Sequence, residues 1–293
     1  MQHINKLIYW LQKENYKSFY LALMRVLLSI FLLKEIILKQ SVWSLLYSNH
    51  SLLQFNTHSA FVVLGVDITT LKNYYLYIIF TYIFSLLLFL FGIGKNLIVA
   101  IVFLLLLTLQ KLNNAEVNGG DILARLILFY FIFANSFQYF SYKKNIISSP
   151  TKNVISNLAA FSMMLQLCIA YYFSFYHKVC NLYWTNGSAM YYVFNTKGFI
   201  ATNYNQILAQ QNWFVYFTTY FTLVVELCFP FLIWFNKTRK PIMVAGLLLH
   251  LGIYFFMMLY NLQIIFLLIY GLFFTNEEWL NFCKKRLKFL KIE

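Results

Sequence analysis

Lys178 stands at the end of a long uncharged run, Leu158 to Tyr176, directly after His177. Partial desolvation favours the neutral amine, which can then serve as a general base. His177 is a second acid–base candidate beside it. Asp121 and Arg125 are spaced i, i+4, so on a helix they share one face. Glu116 and Asn118 precede them, and Gly119–Gly120 lets the chain turn sharply into that helix. After Lys178 comes a polar turn with Trp184 and Asn186, then a short aromatic run holding Tyr191. That segment is too short to cross a bilayer again. A carboxylate, a guanidinium and an amine can therefore line one pocket at the outer face, closed by Trp184, Asn186 and Tyr191. The same residues also suit an interfacial anchor with solvated rim charges, since Lys and Trp favour that depth.

A second set lies within apolar runs: Arg25, Glu226 and His250. An ionisable group there is costly and needs a partner or water. Counted at about 1.5 Å per residue, the three reach a similar depth. The expectation is an Arg25–Glu226 ion pair with His250 beside it. It reads either as a lock between helices or as a proton relay and polar cavity floor. Other signals are weak. His50 and His58 lack the i, i+4 spacing of a helical zinc site. The four cysteines form no CxxC, so neither a metal site nor a disulfide framework is expected. No phosphate-binding glycine loop and no GxSxG occurs.

The elements that must carry these residues are membrane helices. Of the 293 residues, 61% are hydrophobic and only 11% charged, whereas a soluble domain is about 25% charged. The expected fold is an all-α integral membrane protein with about eight transmembrane helices in one bundle. The spans run 18–39, 73–92, 96–112, 121–140, 153–176, 212–235, 241–260 and 261–275, most of them close to the roughly 20 residues a crossing needs. Residues 1–17 read as a polar, basic, amphipathic N-terminus before an uncleaved first span. Residues 276–293 read as a basic tail. The alternating segments between spans hold fifteen Lys and Arg on one side and five on the other. That bias puts both termini in the cytoplasm. The net charge of +14 is thus a topology signal. The partner it implies is the lipid bilayer, with attraction to anionic headgroups, and not nucleic acid. The long segments, 40–72, 113–120 and 177–211, fall outside, so function is expected on the outer face.

Asn118-Gly-Gly-Asp121, opening a span that carries Arg125, resembles a motif of the HTTM family, the membrane domain shared with vitamin K-dependent γ-glutamyl carboxylases. Gln166, Lys178 and the run Trp184–Tyr192, WTNGSAMYY, resemble the family's second motif. The NGSAxYY wording is closest to the SdpB-like branch, linked to maturation of secreted antimicrobial peptides. Arg25, Glu226 and His250 also match places where the family carries such residues. The resemblance covers residues 18–275. It implies an eight- or nine-helix membrane domain with its site on the non-cytoplasmic side, in the bacterial cytoplasmic membrane. It also implies a lysine, here Lys178, acting as base on a reduced quinone. The carboxylases carry a large soluble domain after the membrane part, and here the sequence ends about 18 residues after the eighth span. A substrate is therefore expected to dock through the outer loops or a second protein.

The function expected is maturation or export of a secreted peptide or protein. A non-catalytic scaffold subunit of an export or cell-envelope complex is the alternative, and a small transporter the third.

Overall fold

The computed structural model describes residues 2–49, 68–113, 117–143 and 149–289. Among these the chain forms helices and no strand. The chain divides into two compact units, Met1–Phe161 with Phe274–Glu293, and Ser162–Phe273.

The first unit contains α1 (Gln2–Lys13), α2 (Ser18–Leu38), α3 (Trp43–Tyr47), α4 (Ile68–Asn73), α5 (Tyr75–Phe91), α6 (Lys95–Leu112) and α7 (Gly119–Phe131). It also holds the start of α8 (Pro150–Val179) and, at the chain's far end, α15 (Asn276–Phe289). The second unit holds the rest of α8, then α9 (Leu182–Thr185), α10 (Ala189–Asn195), α11 (Tyr204–Ala209), α12 (Asn212–Leu232), α13 (Asn236–Phe256) and α14 (Tyr260–Tyr270).

Four helices, α6, α8, α12 and α13, are long and apolar enough to cross a membrane. These are helices of an integral membrane protein by length and composition. Two more, α5 and α14 with its 3-10 extension to Phe273, are apolar but shorter. Helix α2 has the length, and Arg25, Lys34 and Glu35 interrupt its apolar run. The span expected at 121–140 needs correction. Its helix stops at Phe131, and beyond it the Asn135 backbone is taken by other segments: its N–H bonds the Ser156 Oγ and its carbonyl accepts from the Asn15 Nδ2. The expected spans 241–260 and 261–275 meet at 260/261, but the chain turns at Met257–Leu259, where Met258 has φ +55°.

In the first unit, α2 packs on α5, α5 on α6, and α6 on α7. Leu21, Met24 and Leu28 of α2 meet a core that includes Ile79, Phe89, Val99 and Phe131, all buried. Gly92 ends α5 in the left-handed conformation, φ +68°, and the Ile93 N–H bonds back to the Leu88 carbonyl. Asn118 caps α7: its side chain accepts from the Gly120 and Asp121 N–H groups, and the Asp121 carboxylate accepts from the Asn118 N–H at 3.0 Å.

A set of buried asparagines ties the chain's two ends together. Asn157 of α8 accepts from the Tyr16 N–H (3.0 Å) and donates to the Leu11 and Glu14 carbonyls (3.0 and 2.8 Å). Asn153 donates to the Gln12 carbonyl at 3.0 Å. Asn276 of α15 accepts from the Phe19 N–H and donates to the Asn15 carbonyl. These bonds tie the backbone of the α1–α2 bend to α8 and α15.

In the second unit, α12 and α13 form an antiparallel pair, and α14 folds back along α13. Leu167, Phe229, Ile265 and Ile269 are fully or nearly fully buried between them. The short helices α9–α11 are laid over α12. The Met190 N–H bonds Thr219, and the Tyr220 hydroxyl bonds the Thr185 carbonyl. Asn205, fully buried, donates to the Phe256 carbonyl at the end of α13. Gly187, φ +82°, lets this segment approach α12 closely, since a Cβ there would run into the Tyr216 ring.

Candidate functional site

Tyr171, Ser174 and Lys178 follow one another at i, i+3 and i+7, so they line one face of α8. Glu226 faces them from α12. The Lys178 Nζ lies 2.6 and 2.9 Å from the two Glu226 carboxylate oxygens and 2.6 Å from the Ser174 Oγ. Ser174 in turn donates to Glu226 Oε1 at 2.9 Å. All three ammonium protons are thereby used. The Trp184 ring stands 5.1 Å from Nζ, within cation–π range. The Glu226 side chain is 7% exposed and that of Lys178 22%.

This pair sits in the wall of a cavity of about 440 Å³, within the roughly 300–1,000 Å³ of small-molecule sites. Tyr171, Ser174, Lys178, Trp184, Glu226, His250 and Gln263 are its polar or amphipathic edge. The rest is largely apolar, with phenylalanines from α10, α12, α13 and α14 prominent. At its floor a chain of hydrogen bonds runs through buried groups. His250 Nδ1 meets Gln263 Oε1, His250 Nε2 meets the Tyr171 hydroxyl (2.5 Å), and that hydroxyl meets the Tyr270 hydroxyl (2.5 Å). A carbonyl oxygen can only accept, so Nδ1 carries the proton and Nε2 accepts from Tyr171. Tyr171 then accepts from Tyr270. Gly246 of α13 makes room, because a Cβ there would strike the Tyr270 hydroxyl.

The arrangement offers definite chemistry. Glu226 can take a proton from Lys178, directly or through Ser174, leaving a neutral amine at the edge of a largely apolar cavity. The His250–Tyr171–Tyr270 chain offers a path for a second proton.

The expected sites are distributed differently. The Arg25–Glu226 pair does not form. Glu226 pairs with Lys178, and Arg25 is held by carbonyls: Phe89 (3.2 Å), Tyr139 (3.3 Å) and Phe140 (2.5 Å). The depth count ranked charges by distance along their own helices, and that does not choose partners: Arg25 is satisfied within its unit and Glu226 within its own. Arg25 is fully buried, its guanidinium at the C-terminal end of α5, where the helix dipole favours a cation. Its Cζ lies 5.4 Å from the centre of the Phe137 ring. Phe140, at φ +52°, turns its carbonyl onto it.

His250 is near Tyr171, as a buried relay group. His177 is not beside the cavity: it is exposed on α8, against the rings of Phe173 and Tyr176. Asp121 and Arg125 belong to the first unit and make bonds inside it. Arg125 donates to the Gln110 Oε1 at 3.1 Å, and the Gln110 Nε2 donates to the Asp121 carbonyl. Asp121 and Glu35 edge a small cavity of about 70 Å³ there. Asn118 is a helix cap. Trp184 lines the large cavity. Asn186 is exposed and accepts from Ser188, and Tyr191 is exposed against Tyr192. Glu116, with His50 and His58, lies outside the described residues.

Ser174, Tyr171, Tyr270 and Gln263 are the functional candidates that residue type alone missed. The i, i+3, i+7 spacing with Lys178 marks Ser174 and Tyr171. Tyr270 is hidden among 23 tyrosines, most of them unremarkable for a membrane chain. Comparison with family models, with curated proteins and with solved structures returned no match.

Proposed function

We propose that this is an HTTM-like, SdpB-like protein of the bacterial cytoplasmic membrane, with about eight spans and both termini in the cytoplasm. It acts in the maturation or export of a secreted peptide or protein. The observation that carries this reading is the Lys178–Glu226 pair set in the wall of an apolar cavity of about 440 Å³. A buried charged pair is seldom a stability device, and here it borders space in which a molecule fits. Lys178 is the base, Glu226 receives its proton, and Ser174 orients both. The HTTM resemblance implies a reduced quinone, and an aromatic-walled cavity with a base at its edge suits a flat apolar ring. Bound there, a reduced quinone would supply the redox chemistry, while Lys178, with its own proton passed to Glu226, would take the quinol hydroxyl proton.

One observation favours a second reading, a non-catalytic scaffold subunit. Every proton of Lys178 is already spent on Ser174 and Glu226, as in a lock between α8 and α12. Lys178→Arg separates the two. Arginine keeps the charge and can pair with Glu226, and it cannot give up its proton. The expected result is a stable, inserted protein that no longer supports maturation of its partner. Full activity of Lys178→Arg would remove the catalytic reading and leave the scaffold. Labelling at Asn186 from outside, but not at Lys237, checks the orientation.

A further inference from the structure

Helix α1 lies beside the mouth of a membrane helix. Asn153 and Asn157, in the first two turns of α8, bind its last carbonyls and the bend after it. The uncharged run of α8 starts at Leu158, the next residue. So α1 is fixed within about 10 Å of the apolar boundary, at about 1.5 Å per residue. Tyr16 stacks on Trp10 (4.1 Å) and bonds its carbonyl, which holds the helix against the bend.

Its two sides differ. Ile8 and Leu11 share one face, and Lys6 and Lys13, seven apart, share the other. Ile8 and Trp10 are 43% and 50% exposed, with large apolar surface toward the surroundings. Around this end of the unit stand five exposed lysines, Lys6, Lys13, Lys152, Lys284 and Lys285, against two exposed glutamates, Glu14 and Glu277. α15, which carries Lys284 and Lys285, is held at the same end by Asn276 and by the Trp279 ring stacked on Tyr20 at 4.8 Å.

We propose that α1 is an interfacial helix. Its Ile8–Leu11 side enters the headgroup–acyl boundary, and the lysines around it bind anionic lipid headgroups. An amphipathic helix with a basic polar face and Trp at its flank takes this place when buried area and lipid charge act together. The fixed position beside α8 removes most of the cost of bringing it to the membrane. The proposal goes beyond peptide maturation and stands if that reading fails.

The test is photocrosslinking of the full chain in vesicles of phosphatidylcholine with phosphatidylglycerol. A benzophenone amino acid replaces Ile8 in one protein and Tyr9, on the wet side and 74% exposed, in another. Both sites are exposed, so both variants fold. Intact mass then reports what was captured. The Ile8 probe is expected to yield lipid adducts, enriched in phosphatidylglycerol over its share of the vesicle, and the Tyr9 probe few. Lys6→Gln and Lys13→Gln should each lower the phosphatidylglycerol enrichment by about fivefold, the worth of one lysine at a charged surface. Equal adducts at both positions, capture of protein alone, or a lipid ratio equal to the bulk in every variant would overturn the proposal.

Discussion

Removing Lys178 should hurt the fold more than removing Glu226. The two groups are not equally buried: Glu226 shows 7% of its side chain and Lys178 shows 22%. In Lys178→Met the carboxylate keeps only Ser174 and cannot reach water, so the loss should be roughly 3–5 kcal/mol. In Glu226→Leu the ammonium keeps Ser174 and the Trp184 ring and can lean toward solvent. Its loss should be nearer about 1–3 kcal/mol. The double change leaves two apolar side chains of similar length and no stranded charge. It should recover most of the larger loss, so the two single losses are far from additive. Thermal unfolding in detergent, followed by tryptophan fluorescence, reads these as shifts of roughly 2–4 °C per kcal/mol. Additive losses, or a Glu226→Leu loss equal to that of Lys178→Met, would refute the reasoning, because both follow only from a desolvated pair with one deeper partner.

Gly92→Ala should cost more than the roughly 1–2 kcal/mol of a left-handed backbone, because its Cβ also displaces the Arg25 guanidinium. Arg25→Lys should be comparably harmful and less than additive with it, read in the same thermal scans. Tyr171→Phe leaves both the Tyr270 hydroxyl and His250 Nε2 short of a partner, so it should cost about 1–3 kcal/mol, and Tyr270→Phe, at the end of the chain, less. Nitrogen NMR of His250 should find the proton on Nδ1, and a proton on Nε2 would reverse the direction assigned to the chain.

The long helices were legible because their cause is local. Uncharged runs such as Leu158–Tyr176 can only be satisfied as helices in an apolar medium. The sharp entry into α7 at Gly119–Gly120 was visible in four consecutive residues, although Asn118 was placed in an outer pocket and proves to be the helix cap. The charges were legible one at a time and not as pairs. Depth counting brought Arg25 to Glu226 by assuming straight spans of equal length. Nothing local says that the stretch after Phe131 would turn back and offer Arg25 its carbonyls. Backbone acceptors leave no mark in side-chain type, so a cation satisfied by them looks unpaired in sequence. Lys178 was singled out by its place at the end of an uncharged run, and the structure sets it against Glu226. Its partner was misassigned because Glu226 had two cations to choose from and only the packing decides.

The asparagine clamp has a consequence for how the protein is made. The second unit is one continuous stretch, Ser162–Phe273, while the first is closed only by residues from Phe274 onward. Asn276 reaches Asn15 across 261 positions of chain. Contacts that far apart form late, because the loop must be closed before they give anything back. During synthesis the cavity-bearing unit can therefore assemble while α2 to α7 still wait for their last helix. Until α15 arrives, α8 holds the α1–α2 bend through Asn153 and Asn157, and the Phe19 N–H still lacks its Asn276 acceptor. A chain stalled or cut before Phe274 would keep its cavity and lose the latch on its own beginning, and quality-control proteases would meet the N-terminal half first.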